Sequence, residues 1–146
     1  MSIGSTDLLL LDTNVVVHWI RQNRTGRYLR DQYHLETRPE RPIYSTVTEG
    51  EILGLALHWN WGQQKREALD QLLGELVRFE SSHPEVVRAY AELYDYDQRQ
   101  GLNTGENDLW IAASARVTNS TLLTCDRDFL QLSPSHLRVE FVNSKR

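Results

Sequence analysis

The sequence predicts an α/β fold in three layers, with a mostly parallel central sheet between two layers of helices. Residues 8–14 read LLLLDTN, and such a short unbroken apolar run is typical of a strand covered on both faces. Strand-like and helix-like segments then alternate along the chain, which favours right-handed crossovers between parallel strands. Residues 111–115, IAASA, would let a late helix lie close to the sheet because most of their side chains are small.

Length and composition indicate one domain that spans residues 1–146. The chain is 40% hydrophobic, which suffices for a core without disulfides. Its formal net charge of −4 argues against a generally basic coat for nucleic acid, although a local patch or a bound cation could serve. Cys125 is the single cysteine, which excludes an internal disulfide and favours a reducing compartment. The N-terminal segment has the pattern of neither a signal peptide nor a membrane span, so we expect a cytoplasmic protein.

The first part of the chain predicts a strand, a helix, a loop and a second strand. The apolar run ends in residue types that cap helices, and we predict one continuous helix over residues 15–30. Two prolines make residues 36–42 a loop, because proline bars a helix interior. A short strand follows over residues 43–45.

The next helix lies in the segment TVTEGEILGLALHW, whose apolar positions indicate that it is largely buried. Its start is ambiguous, because two pairs fit the capping box and only one can use it: Thr46 with Glu49, and Thr48 with Glu51.

The second half of the chain predicts three helices and three strands. Pro84 opens the middle helix and Gly101 ends it, and Thr104 caps the helix that follows. The tail over 143–146 is expected to fray. Of the three helices, the first two are predicted over residues 63–77 and 85–100. The three strands are predicted over residues 77–80, 121–124 and 137–142.

Four acidic side chains lie at equivalent ends of the predicted elements. Asp12 and Asp126 each follow a strand. Asp108 lies in the first turn of a helix, and Glu51 lies near the start of the helix after the second strand. Because parallel strands place their carboxyl ends at one edge of the sheet, we expect the four acids to meet in one crevice. They would raise one another's pKa there unless a cation neutralised them, and oxygen ligands favour Mg²⁺ or Mn²⁺ over zinc.

An acid-lined magnesium site without a Ser/His or Cys/His pair suits metal-assisted hydrolysis of a phosphodiester bond. Taken singly, each acid has a simpler interpretation as a helix cap or as the complement of a helix dipole. The occurrence of all four at corresponding positions favours a common site.

Four segments resemble the acidic motifs of PIN-domain ribonucleases: DTN at 12–14, TEGEILG at 48–54, NDLWIAASA at 107–115 and LLTCDRDF at 122–129. Their order and spacing most resemble the VapC toxins of prokaryotic toxin-antitoxin pairs, over nearly the whole chain. The resemblance implies a PIN-like α/β/α fold, Mg²⁺- or Mn²⁺-dependent endoribonuclease activity, a homodimer and inhibition by a cognate antitoxin. It also implies that the metal-binding and catalytic acids are Asp12, Glu51, Asp108 and Asp126, with Asn14 and Thr124 as nearby polar residues that orient water or metal.

Several alternatives stay open from the residues alone. Glu49 competes with Glu51 in the second motif, and Asp128 is a second acid that could share the site. A PIN-like nuclease outside a toxin-antitoxin pair and a catalytically silent RNA- or protein-binding domain are the other functions considered. A phosphatase with Asp12 as a covalent nucleophile is less consistent, because Asn14 stands where such enzymes usually carry a second acid. Among RNA substrates, single-stranded loops are favoured because an unstacked backbone can enter a narrow crevice.

Residues outside the motifs allow further interpretations. Residues 21–41 contain six arginines and three acids, which form either a solvated face or a phosphate-contacting patch. Trp59 and Trp61 either cover the core or line an interaction surface, such as a groove for a partner helix. The histidines lack ligand spacing and are interpreted as structural or surface residues: His18, His34, His58, His83 and His136.

Overall fold

The computed structural model of the chain describes residues 3–4 and 6–145. The strands are β1 (Leu9–Leu11), β2 (Ile43–Ser45), β3 (Val77–Phe79), β4 (Thr121–Thr124) and β5 (Val139–Phe141). The helices are α1 (Thr13–Arg21), α2 (Arg24–Gln32), α3 (Thr46–His58), α4 (Gln63–Gly74), α5 (Pro84–Gln100) and α6 (Glu106–Val117), with a 3-10 helix at Arg127–Leu132. The strands form one sheet in the order β3-β2-β1-β4-β5, and all neighbouring strands are parallel.

Two apolar clusters cover the two faces of this sheet. Leu9 and Leu11 face a cluster formed with α1, α2, α3 and α4, whereas Leu10 faces a cluster formed with α5, α6 and the 3-10 helix. All three leucines are buried, as alternation of side chains along a strand requires when both faces are covered. The predicted three-layer α/β/α fold is therefore confirmed. None of the helices in the described residues combines the length and apolarity needed to cross a bilayer.

The order of the strands places a crevice next to Asp12. From β1 the chain moves outward to β2 and β3, and it then returns to the other side of β1 to form β4 and β5. The direction of the winding thus reverses between β1 and β4. In open α/β sheets, ligands bind beyond the carboxyl ends of the strands at such a switch point. Asp12 directly follows β1, and Asp126 lies two residues beyond β4.

The prediction of one helix over residues 15–30 is wrong, because the chain turns between Arg21 and Arg24. Gln22 adopts a left-handed conformation with φ 52°, which ends α1. The Asn23 side chain then accepts a hydrogen bond of 2.8 Å from the Gly26 amide and caps α2. The arginines of this region are consequently divided between two helices that pack against each other.

Gly26 marks the contact between α1 and α2, and its replacement tests this packing. A Cβ atom at this position would lie 1.9 Å from the main-chain oxygen of His18, which cannot move aside as a flexible side chain would. We expect Gly26→Ala to destabilise the protein by about 3 kcal/mol, the upper end of typical overpacking costs. Chemical denaturation measures the change in the free energy of unfolding.

Gly54→Ala is the matched control for Gly26→Ala. Gly54 is exposed in α3, and a Cβ atom there meets no atom within 4 Å. This variant should be more stable than wild type by up to about 1 kcal/mol, the helix propensity difference between the two residues. Equal stabilities for the two variants would contradict the observed packing of α1 on α2.

Two predicted helix caps are also wrong. Neither Thr46 nor Thr48 caps α3: the Ser45 hydroxyl accepts a hydrogen bond from the Thr48 amide, one position earlier than expected. Gly105 precedes α6 without a side-chain cap, so Thr104 does not cap it. The remaining bounds differ by at most two residues, except that α4 ends at Gly74 instead of residue 77. Of the tail predicted to fray, Arg146 lies outside the described residues.

Candidate active site

Asp12 is the most buried of the predicted site acids, with 4% of its surface exposed. Its Oδ1 accepts a hydrogen bond of 2.8 Å from the Thr13 amide, and its Oδ2 accepts one of 2.7 Å from the Thr124 hydroxyl. Burial nevertheless raises the pKa of Asp12 to about 6, and the charges of Glu51 and Asp126 act in the same direction. This carboxylate is therefore ionised at neutral pH only at a cost.

Thr124 links Asp12 to the segment that carries Asp126. The same Thr124 hydroxyl that donates to Asp12 accepts a hydrogen bond of 2.9 Å from the Asp126 amide. Asp126 in turn caps the 3-10 helix, because its Oδ1 accepts a hydrogen bond of 2.9 Å from the Asp128 amide. Asn14 secures the same segment: its Oδ1 accepts a hydrogen bond of 3.1 Å from the Cys125 amide. Both predicted supporting residues thus hold the β4 end of the crevice against the start of α1.

Glu49 and Glu51 have different surroundings. The sequence alone left open which of the two belongs to the acidic site. Glu51 Oε1 accepts a hydrogen bond of 2.6 Å from the Thr13 hydroxyl, so Glu51 lies beside the start of α1. Glu49 instead forms an ion pair of 2.9 Å with Arg78 on β3. The geometry therefore favours Glu51 as the member of the acidic cluster.

Asp108 is positioned by the loop that joins α5 to α6. Asp97 is 1% exposed near the end of α5, and its Oδ2 accepts a hydrogen bond of 3.0 Å from the Thr104 amide. This contact fixes the chain shortly before α6, whose first turn contains Asp108.

Burial and neighbouring acids both raise the pKa of Asp108. It is raised to about 7, first by burial and then by the negative charges of other acids. In decreasing order of effect, those acids are Asp12, Asp126, Glu51 and Asp128. The charges of the other three predicted acids and of Asp128 therefore all act on Asp108.

The chemistry of this cluster suits a divalent cation. Its ligands are carboxylate oxygens, and like charges brought together in a partly buried crevice favour a cation that neutralises them. Among the residues that the structure describes, no three His, Cys, Asp or Glu side chains are arranged so that they would hold one ion as they stand. Coordination by three of the acids would therefore require their side chains to move closer together.

Sequence reasoning missed the two residues that hold Glu51. The sequence places Thr13 in a helix cap and in the DTN motif, and Asn107 in the NDLWIAASA motif, without a role for either side chain. Their side chains donate to the two oxygens of Glu51: Thr13 to Oε1, and Asn107 to Oε2 at 3.3 Å. Each of them directly adjoins a predicted site acid in the sequence, and this was the available signal.

The arginines between residues 21 and 41 do not form one uniform basic face. Arg38 is buried and donates to the main-chain oxygens of Tyr33, Gly4 and Asp7, which is a structural role. Arg30 pairs with Asp31 at 2.8 Å. A phosphate-contacting patch could therefore include only part of the predicted set.

The two tryptophans divide between the two predicted roles. Trp61 is 7% exposed and belongs to the apolar core, whereas Trp59 is 41% exposed. The Arg21 guanidinium lies over the Trp59 ring, with its Cζ atom 4.5 Å from the ring centroid. Trp61 thus covers the core, and Trp59 is available at the surface. Among the histidines, His18 contacts Asn23 and His83 caps α5, in agreement with structural roles.

The fold and this crevice together define a class of α/β protein: a parallel sheet with an acidic cluster at its switch point. The chain belongs to the PIN domain family, whose model matches residues 9–133. The confirmed resemblance extends over most of the sheet and all four acidic motifs.

Individual relatives are ribonucleases and toxin-antitoxin proteins. Ribonuclease VapC1 of Haemophilus influenzae (strain R2866) is 26% identical over 117 residues, which cover 80% of this chain and 85% of that protein. The structure of VapBC2 from Rickettsia felis, bound to a DNA fragment from their promoter, is 25% identical with a TM-score of 0.78. The match covers 92% of this chain and 98% of the Rickettsia felis chain. VapBC-5 of Mycobacterium tuberculosis, a member of the VapBC family of toxin-antitoxin systems, shares the fold, at 22% identity, a TM-score of 0.69 and the same coverages.

Proposed function

We propose that this protein is a Mg²⁺- or Mn²⁺-dependent endoribonuclease that acts as the toxin of a toxin-antitoxin pair. The observation that carries the proposal is the convergence of Asp12, Glu51, Asp126 and Asp128 on Asp108 at the switch point of the sheet. Burial raises the pKa of Asp108 most, and the charges of these four acids raise it further. A ribonuclease, VapC1, among the relatives supports the same activity.

The acids Asp12, Glu51, Asp108 and Asp126 would hold the metal. When bound, the ion would lower the pKa of a water molecule and neutralise charge on the scissile phosphate. The chain's own contribution is to hold the carboxylates against their mutual repulsion. Thr124 donates to Asp12 and accepts from the Asp126 amide, so it holds the main chain at Asp126 next to the Asp12 carboxylate. Asp128 is the acid most available as an additional ligand, because its charge also reaches Asp108.

The proposed substrate is single-stranded RNA, because an unstacked backbone can enter a crevice of this kind. The proposed partners are a cognate antitoxin and a second copy of this chain. The VapBC relatives support an antitoxin, and the exposed Trp59 beside Arg21 offers an aromatic and cationic contact for it. A small open reading frame next to this one that encodes a DNA-binding protein with a flexible tail would support the pairing. A cytoplasmic location is part of the same proposal.

Metal dependence of RNA cleavage tests the activity. The purified protein should cleave single-stranded RNA when Mg²⁺ or Mn²⁺ is present, and it should be inactive in EDTA. Activity should return when the divalent ion is added back in excess over the chelator. Gel analysis of a labelled RNA follows both steps. Full cleavage in EDTA would refute the metal-dependent mechanism, and absence of cleavage under all ion conditions with varied RNAs would refute the nuclease.

A further inference from the structure

We propose that Thr13 and Asn107 are positioning residues that hold the Glu51 carboxylate for divalent-ion binding. This inference rests on the proposed function, since it assumes that Glu51 is one of the metal-binding acids. It concerns two residues that do not themselves carry charge and that act through Glu51.

Thr13 connects Glu51 to Asp12. Its amide donates to Asp12 Oδ1 at 2.8 Å, while its hydroxyl donates to Glu51 Oε1 at 2.6 Å. One residue at the start of α1 therefore contacts two acids that lie on different elements. The short contact with the Thr13 hydroxyl holds the Glu51 carboxylate beside the start of α1. The Thr13 hydroxyl also lies 3.1 Å from the buried hydroxyl of Thr48 on α3, which limits its rotation.

Asn107 connects Glu51 to α6. Its Nδ2 donates to Glu51 Oε2 at 3.3 Å, and its sequence neighbour is Asp108. Each oxygen of the Glu51 carboxylate therefore has a donor, and the two donors come from opposite sides of the crevice. The contacts span 38 and 56 residues of sequence, so they join α3 to the start of α1 and to the start of α6.

Two bonds of this kind matter because a glutamate side chain has several rotatable bonds. A free Glu51 would lose rotamer entropy on binding an ion. Thr13 and Asn107 impose this restriction before the ion arrives, so the other acids would move toward Glu51 when the ion binds. They also hold Glu51 near Asp12 and Asp108 despite the repulsion among the carboxylates. Their removal should therefore weaken ion binding more than it weakens the fold.

Mn²⁺ binding to variants of Thr13 and Asn107 tests this inference. Thr13→Val removes the hydroxyl while keeping the shape of the side chain, and Thr13→Ser keeps the hydroxyl. Isothermal titration calorimetry should show Mn²⁺ affinity about tenfold lower for Thr13→Val, in the range found when residues that support metal ligands are removed. Thr13→Ser should restore most of the affinity. Asn107→Ala should give a smaller loss, because its hydrogen bond is longer.

Thr46→Val is the matched control for Thr13→Val. Thr13 is the first residue of α1, and Thr46 is likewise the first residue of α3. The Thr46 hydroxyl forms a hydrogen bond of 2.7 Å with the Ser81 hydroxyl instead of with an acid. Its removal should change thermal stability without changing Mn²⁺ affinity. RNA cleavage by the Thr13 and Asn107 variants should recover at high Mn²⁺ concentration, because their defect is in ion binding.

The outcomes separate this inference from the proposed function. Wild-type affinity for Mn²⁺ in both Thr13→Val and Asn107→Ala would overturn the positioning role even if the wild-type protein cleaves RNA. Mn²⁺ binding without RNA cleavage by the wild type would overturn the proposed function, and a lower affinity of Thr13→Val would still support the positioning role. An equal loss of Mn²⁺ affinity in Thr46→Val would show that the loss in Thr13→Val comes from general destabilisation around α3, and it would overturn the inference.

Discussion

Replacement of Asp12 or Asp108 by asparagine should abolish RNA cleavage while the fold stays intact. Both acids lie where the charges of the crevice meet, and an amide cannot replace the negative charge that attracts the cation. Loss of residues that merely support metal ligands typically costs about 10- to 100-fold, so loss of a ligand itself should cost about a hundredfold or more. Initial rates of RNA cleavage at saturating Mg²⁺ measure the effect.

Glu49→Gln is the control for this loss, since Glu49 is an acid of the same motif that pairs with Arg78 outside the cluster. It should retain nearly full activity. Circular dichroism should show that all three variants keep the wild-type secondary structure. Near-wild-type cleavage by Asp108→Asn would show that Asp108 is not a catalytic residue. Loss of cleavage in Glu49→Gln would show that Glu49 belongs to the site, contrary to the structure.

The second large effect concerns stability in the absence of metal. The pKa of Asp12 is about 6 in the folded protein and 3.8 without the influence of the fold. Between these values the folded state holds a proton that the unfolded state has released, so stability falls as pH rises through this window. The cost is complete above about pH 6 and reaches at most about 3 kcal/mol, at about 1.4 kcal/mol per pKa unit.

Asp12→Asn should relieve this cost when EDTA is present. Asparagine carries no charge and keeps an oxygen for the Thr13 amide, so the variant should exceed wild type by about 2 kcal/mol at about pH 8. The advantage should disappear at about pH 4, where the wild-type carboxyl in the folded state is already protonated. Denaturant unfolding at the two pH values measures the difference between variant and wild type. Asp70→Asn, at an exposed position on α4, is the control variant. A gain of Asp12→Asn that persists at the lower pH would contradict burial of a charged Asp12.

The parts of the fold that were predictable depend on local patterns. The apolar run TLLT gave the bounds of β4 without error, because an apolar β-prone run bounded by polar residues is a local signal. The break between α1 and α2 was not predictable in this way. It depends on the left-handed Gln22 and on the close approach of Gly26 to His18, and the second of these is a contact between helices.

The candidate site shows the same division. The acids could be predicted because strand ends and helix starts share one edge of a parallel sheet. The partners of Glu51 could not, because Thr13 and Asn107 reach it from 38 and 56 residues away along the chain. The resemblance placed Thr124 near the site, but its hydrogen bond to Asp12, 112 residues away, needed the structure. The choice between Glu49 and Glu51 likewise needed the position of Arg78 on a different element.

Calorimetric titration of the metal-free protein with Mn²⁺ near neutral pH tests most directly whether the four acids form one cation site. Wild type and Glu49→Gln should bind the ion with similar affinity, whereas Asp12→Asn, Glu51→Gln, Asp108→Asn and Asp126→Asn should each bind it much more weakly. Absence of Mn²⁺ binding by the wild type, or equal binding by all of these variants, would contradict a metal site built from these four residues.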